Sequence, residues 1–194
     1  GFSFHQNAPL DMRMSKSGIS AFDVVNSYDE KSLADIIWKY GEEKFSRSIA
    51  KNIVKAREEK PIETTFQLVD IIKASMPAKE LKKGHPARKT FQAIRIEVNA
   101  ELDRLDKALD DAFDCLNPGG IIAVITFHSL EDRLVKEKFA GWVKGCICPR
   151  EFPVCVCGNK PKGELPFKSK APGETELSEN PRARSSRLRA FKKY

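Results

Sequence analysis

Apolar residues recur with a helical period from Ser20 to about Met76. Ser20 is placed to cap a short helix over Ala21 to Asn26. Asp29 is placed to cap a second, with Leu33, Ile36, Ile37 and Tyr40 on one face and Gly41 as its stop. Glu42 to Glu59 reads as a third helix. Phe45, Ile49, Ile53 and Val54 point inward there; Lys44, Arg47, Lys51, Lys55 and Arg57 point outward. Thr64 or Thr65 caps a fourth helix carrying Leu68, Val69, Ile71 and Ile72. Four short helices with short links predict a small bundle. The period resumes over Ala87 to Val98 and runs on from Asn99 to Leu116. One long helix, or two with a break near Asn99, fits equally.

The pattern changes at Asn117-Pro118-Gly119-Gly120, a helix stop and turn. Gly120 to Phe127 is then nearly continuous in apolar, β-branched residues. That predicts a strand buried on both faces, as in parallel α/β sheets. Polar chemistry starts where the run ends, at His128, Ser129, Glu131, Asp132 and Arg133. Ligands in open α/β sheets bind beyond the carboxyl ends of strands, so His128 and Ser129 stand where an active site would lie. Ser129 reads equally well as the cap of the next helix, with Asp132 in its first turn. Arg133 to Trp142 reads as helix, Phe167 to Ala171 as a short strand, Ser178 to Ser185 as loop and Ser186 to Phe191 as a final strand.

Charge sharpens this picture through its placement. Thirty-four basic residues against 27 acids give +7 over 194 residues. From Asn180 onward Arg182, Arg184, Arg187, Arg189, Lys192 and Lys193 occur with no acid among them. Such a segment suits a polyanion, or is a solvated basic terminus. No apolar run reaches the length of a membrane helix and no signal peptide opens the chain, which points to the cytoplasm. The chain opens at Gly1, without a methionine.

Four of the five cysteines, Cys146, Cys148, Cys155 and Cys157, follow the spacing C-x-C-x6-C-x-C. Four thiolates can complete a tetrahedral zinc site, although C-x2-C is the commoner knuckle; the alternative is four reduced thiols in a loop. No cysteine is set apart beside a base, which argues against a catalytic thiol. Neither G-x-G-x-x-G nor G-x4-G-K-[ST] occurs, so no nucleotide cradle is visible.

Four longer stretches carry a resemblance: PLDMRM (9–14), HPARKTFQAIRIEVNAEL (85–102), LNPGGIIAVITFHSLEDR (116–133) and ENPRARSSRLRA (179–190). In this order they resemble the RsmH (MraW) family of bacterial S-adenosylmethionine-dependent methyltransferases. That family methylates the exocyclic N4 of a cytidine in the decoding region of 16S rRNA. The resemblance implies a partial Rossmann-like α/β methyltransferase sheet with an inserted all-α domain. Residues 1–18 would end the first methyltransferase segment, 19–95 would be the helical insertion, and 96–194 the returning segment. It implies 16S rRNA, or the small ribosomal subunit, as partner. Asp11, His128 and Ser129 become candidate pocket residues; Arg13, Arg95, Arg182 and Arg184 become candidate phosphate contacts. Asn7 and Ala8 depart from the family's usual GFSF-x-x-D-G. The family's glycine-rich cofactor loop and acidic ribose-binding residue precede GFSF, so no cofactor-binding residue is assigned in this chain. The isolated chain is therefore expected to be inactive, and to expose a sheet edge that a homodimer could cover. A non-catalytic RNA-binding protein and a zinc-stabilised interaction module are the competing readings.

Overall fold

The computed structural model describes residues 1–149 and 151–194. Arg150, inside the cysteine loop, lies outside the described residues. The chain divides into two compact units, Gly1–Glu101 and Leu102–Tyr194.

The first unit is helical. It holds α1 (Ala21–Ser27), α2 (Glu30–Gly41), α3 (Ser46–Glu59), α4 (Thr65–Ala74), α5 (Ala78–Leu81) and α6 (Arg88–Asn99). Three starts are fixed by side chains that satisfy otherwise unpaired amides. Ser20 and Asp23 form a capping box, Asp29 accepts from the Ser32 amide, and Thr64 and Gln67 form a second box. The third helix begins later than its apolar period suggests. Glu42 takes a left-handed conformation (φ 49°) that closes α2, so Glu42 to Phe45 become the link. The inward stripes meet as expected: Leu33, Ile37, Ile49, Ile53, Leu68 and Ile72 are fully buried in one core. Phe91 and Ile94 of α6 enter the same core, as do Leu10 and Met12 from the amino-terminal loop. Ala100 (φ 47°) interrupts the long helical period, giving two helices.

The second unit contains α7 (Glu101–Cys115, all but its first residue), β1 (Ile121–Thr126), α8 (Ser129–Val143), β2 (Gly163–Glu164), α9 (Glu174–Glu179) and β3 (Arg187–Lys193). A 3₁₀ turn, Pro181–Ser185, precedes β3. The strands form one sheet in the order β1-β3-β2, and both pairings are antiparallel. Phe113, Phe139, Trp142 and Phe191 make its core, with ring centroids 4.7–5.8 Å apart. Phe139 and Phe191, fully buried, each contribute about 1.5–3 kcal/mol by burial. Lys138 of α8 ties to Asp106 and Asp110 of α7 at 2.7 and 2.8 Å.

Three expectations are corrected here. β1 is not buried on both faces, nor is its pairing parallel. Ile122 and Val124 pack inward, while Ile121 and Ile125 stay 57 and 60% exposed, with no layer over them among the described residues. Phe167 to Ala171 supplies only the bridge Lys170↔Leu188. The extra strand lies earlier, at Gly163–Glu164, and runs so close to β3 that a Cβ at Gly163 would collide with the Lys192 carbonyl and the Phe191 ring. Ser178 to Ser185, read as loop, instead holds the end of α9 and the 3₁₀ turn.

Candidate functional site

In the first unit the PLDMRM segment is an irregular loop held from several sides. Leu10 and Met12 are anchored in the core, and Met12 adopts φ 58°. A non-glycine residue in that conformation persists only when its surroundings over-determine it. They do. The Ala21 and Phe22 amides donate to the Asp11 and Leu10 carbonyls at 2.7 and 2.8 Å. Asn99, buried at the end of α6, donates from Nδ2 to the Met12 carbonyl (2.8 Å) and accepts from the Met14 amide through Oδ1 (2.8 Å). Between these anchors Asp11 and Arg13 form a two-pronged pair of 2.7 and 2.9 Å. The Arg13 guanidinium holds the Asp11 carboxyl down to about 2. Asp11 is thus ionised at neutral pH, and its side chain is about half exposed. It is a weak base but a ready hydrogen-bond acceptor.

In the second unit His128 and Ser129 follow directly on β1. His128 caps α8, correcting the alternative that gave this part to Ser129. Its Nδ1 accepts from the Glu131 amide at 3.3 Å, while Glu131 Oε2 accepts from the Phe127 and His128 amides at 2.9 and 3.3 Å. Glu131 Oε1 lies 3.3 Å from His128 Nε2. Burial raises the Glu131 carboxyl, but His128 and the Phe127 amide outweigh it and the net shift is downward. Ser129 is the first residue of the helix and is exposed. Asp132, in the same first turn, pairs with Arg189 of β3 at 2.7 and 2.9 Å. The junction is thereby rigid, with His128 and Ser129 at fixed positions beyond the strand's carboxyl end.

The four candidate arginines fall into two kinds. Arg13 is engaged by Asp11, and Arg95 by Glu101 at 2.8 and 2.9 Å, so a phosphate at either would compete with a carboxylate. Arg182 and Arg184 are exposed on the 3₁₀ turn, and neither pairs with an acid among the described residues. The four cysteines converge: their sulfurs lie within 4.8 Å of one another. The Ile147 and Asn159 amides bring the Cys157 thiol down to about 6. For Cys146 the Cys148 amide pulls downward, but the neighbouring sulfurs prevail and push it up to about 12.

Asn99 and Glu131, which fix the two loops, were named in the sequence only as a helix break and as part of a polar cluster, not as candidate site residues. An asparagine closing an apolar helix, and a glutamate three residues after a cap position, were the available signals. No cofactor cradle of the strand–glycine–helix kind occurs among the described residues. β1, which runs directly into a helix, does so through Phe127 and His128.

The family model of the MraW methylase family matches residues 1–194, and the chain belongs to that family. It is 52% identical to the ribosomal RNA small subunit methyltransferase H of Brevibacillus brevis, 53% identical to that of Clostridium botulinum and 53% identical to that of Lachnospira eligens. All of this chain is covered in each case, but only 62, 63 and 62% of the respective relative. The chain thus spans about three-fifths of the length of the curated relatives it matches.

Proposed function

We propose that this chain, joined to the further sequence its relatives carry, methylates the exocyclic N4 of a cytidine in the decoding region of 16S rRNA, with S-adenosylmethionine as donor. The observation that carries this reading is the family match along the whole chain, with relatives above 50% identity named as small-subunit rRNA methyltransferases. The described residues do not themselves fit the cofactor, because they offer no glycine turn between a strand and a helix start. The cofactor site is accordingly assigned to the remaining part of a Rossmann-like sheet. On this reading residues 1–18 end one methyltransferase segment, 19–95 are an insertion and 96–194 return to the sheet. The apolar residues on both faces of β1 support it, since Ile121 and Ile125 would then be covered by the rest of the fold.

The chemistry asked of this chain is modest. The lone pair of a cytosine amine is delocalised into the ring, and the base must leave its stack to be reached. Asp11, ionised and immobilised by Arg13, would accept a hydrogen bond from the amine and raise electron density on nitrogen. The proton lost on substitution leaves to solvent. In the second unit His128 and Ser129 are kept as candidate pocket residues, and the arginines would hold phosphates. Location in the cytoplasm, with the ribosome, belongs to the same proposal.

The test uses the family-length protein, labelled donor and small subunits from cells lacking the activity. N4-methylcytidine should appear by nucleoside mass spectrometry, and Asp11→Asn should lower the rate while RNA binding persists. RNA binding without label in any nucleoside would establish the non-catalytic alternative. The 194-residue chain alone is expected to show no methylation and weak or no S-adenosylmethionine binding by calorimetry. Micromolar binding at one site per chain would place the cofactor pocket in these residues instead.

A further inference from the structure

Within the second unit, four cysteines described in the loop from Gly145 to Gly158 bring their sulfurs together at the surface. Cys155 and Cys157 lie 3.6 Å apart at sulfur, and Cys146 and Cys157 lie 3.8 Å apart. A disulfide requires about 2.05 Å. A tetrahedral site with metal–sulfur bonds of about 2.3 Å has sulfur–sulfur edges of about 3.8 Å. The observed spacing fits the second.

Hydrophobic burial does not account for the convergence. Ile147, Phe152, Val154 and Val156 face solvent at 57, 51, 70 and 73% exposure. Ile147 and Val156 are the middle residues of the two C-x-C pairs, so each pair leaves its apolar member in solvent and brings its two thiols toward the other pair, with Cys146, Cys155 and Cys157 still exposed. Amides point at the sulfurs: Ile147 and Asn159 donate to Cys157 Sγ, both at 3.4 Å, and Val156 donates to Cys148 Sγ at 3.3 Å. Contacts of this kind hold ligand atoms in place around a metal. The neck of the loop is pinned as well. Asn159 Nδ2 donates to the Lys144 and Gly145 carbonyls at 3.0 and 2.6 Å, and the Lys162 amide donates to the Trp142 carbonyl at 2.8 Å.

We propose that this loop is a structural metal site, with Cys146, Cys148, Cys155 and Cys157 holding one Zn²⁺ per chain. Four soft thiolates exclude magnesium and calcium and suit zinc. Four protein ligands leave no open position, so the ion orders the loop and takes no part in the reaction. Binding exchanges the thiol protons for the metal, with no redox step.

The experiment uses the chain purified under reductant, without chelator, from zinc-supplemented medium. Elemental analysis should give one zinc per chain, and Cys115→Ser, on α7, should keep it. The double variant Cys146→Ser/Cys157→Ser should fall to background. Should that variant fail to fold, Co²⁺ titration of the metal-free wild-type chain decides the matter. Thiolate-to-cobalt charge-transfer bands and intense tetrahedral d–d bands should saturate at one equivalent. Absence of those bands, iron in place of zinc, a mass deficit from disulfides, or equal zinc in the double variant would each overturn the site. None of these outcomes depends on methyltransferase activity, so the proposal stands or falls separately from the catalytic reading.

Discussion

The two units reach stability by different routes. In Gly1–Glu101 a single core gathers 17 buried apolar side chains, against five in the core of Leu102–Tyr194, counted over the described residues. The units are similar in length, so the difference lies in construction. The helical unit buries the inward stripes of α2, α3 and α4 in one core, while Phe22, Trp38 and Phe66 stay exposed on its outer side. The sheet unit leaves Ile121, Ile125 and Phe127 in solvent, and its long loop gathers four cysteine sulfurs at the surface. Aromatic packing, the Asp132–Arg189 pair and amide pins do more of the holding there. The first unit's order follows from burial; the second unit's needs partners of other kinds.

The largest expected effects test that contrast in the cores. Ile37→Ala should destabilise the first unit by about 2–5 kcal/mol, and Phe191→Ala the second by about 3–5 kcal/mol. Ile125→Ala should change the 194-residue chain by no more than about 0.5 kcal/mol, because the side chain is 60% exposed. Denaturant unfolding read by hydrogen exchange, unit by unit, checks all three. In the family-length protein Ile125→Ala should cost measurably more, and equal values in the two lengths would sink the idea that β1 gains a covering layer.

Next in size is Asn99→Ala. It removes two bonds to the 9–14 loop and a third to the Arg95 carbonyl, leaving buried groups unpaired. The expected cost is about 1–3 kcal/mol. Amide exchange at Met12 and Met14 should quicken while the α3–α4 core stays protected. A loop as protected as in the parent would show that Asn99 does not position it.

What the sequence made legible divides along the same line. Helical periodicity placed the inward faces of α2, α3 and α4 because a stripe such as Leu33/Ile37 has one burial solution. Ser20 and Asp29 were readable because caps are local. The exposed face of β1 was not readable: a run that is apolar on both sides carries no information on whether the second side is covered here. β2 escaped notice because two residues carry no period, and Gly163 is selected by a distant backbone. At the candidate sites the residue types were visible but their partners were not. The Asp11–Arg13 pair follows from a positive φ at Met12, and nothing in PLDMRM announces it.

An effect of similar size is expected from acid. Arg189 lowers the Asp132 carboxyl, and Arg13 lowers that of Asp11 to about 2. A depressed folded-state value contributes stability fully above the ordinary carboxylate range and loses it as pH falls through the folded value. Both contributions are therefore present at pH 7 and fade below about pH 4. Arg189→Met should cost about 1–3 kcal/mol near neutrality, since the pair is largely shielded, and should flatten the acid limb of the second unit alone. An unchanged acid limb would mean the pair contributes nothing to folding.

The smallest effect on folding, and the one that separates folding from function most cleanly, is expected at Arg182 and Arg184. Both lie exposed on the 3₁₀ turn, with no acid partner among the described residues and with Ala183 between them buried. Reversing them to Glu leaves Ala183 in place, so stability should move by no more than about 0.5 kcal/mol. Their charge has no use in the fold, unlike that of Arg13 or Arg95, which are neutralised in place. If the pair meets rRNA phosphates, each contact releases about 0.7 of a counterion on a single strand. The Arg182→Glu/Arg184→Glu protein, at family length, should bind RNA more weakly, with a shallower salt dependence by about 1.4 logarithmic units per decade. Its S-adenosylmethionine affinity should be unchanged. RNA affinity and salt slope equal to the parent's would make this basic segment a solvated terminus, and the candidate interface would then have to be sought elsewhere on the chain.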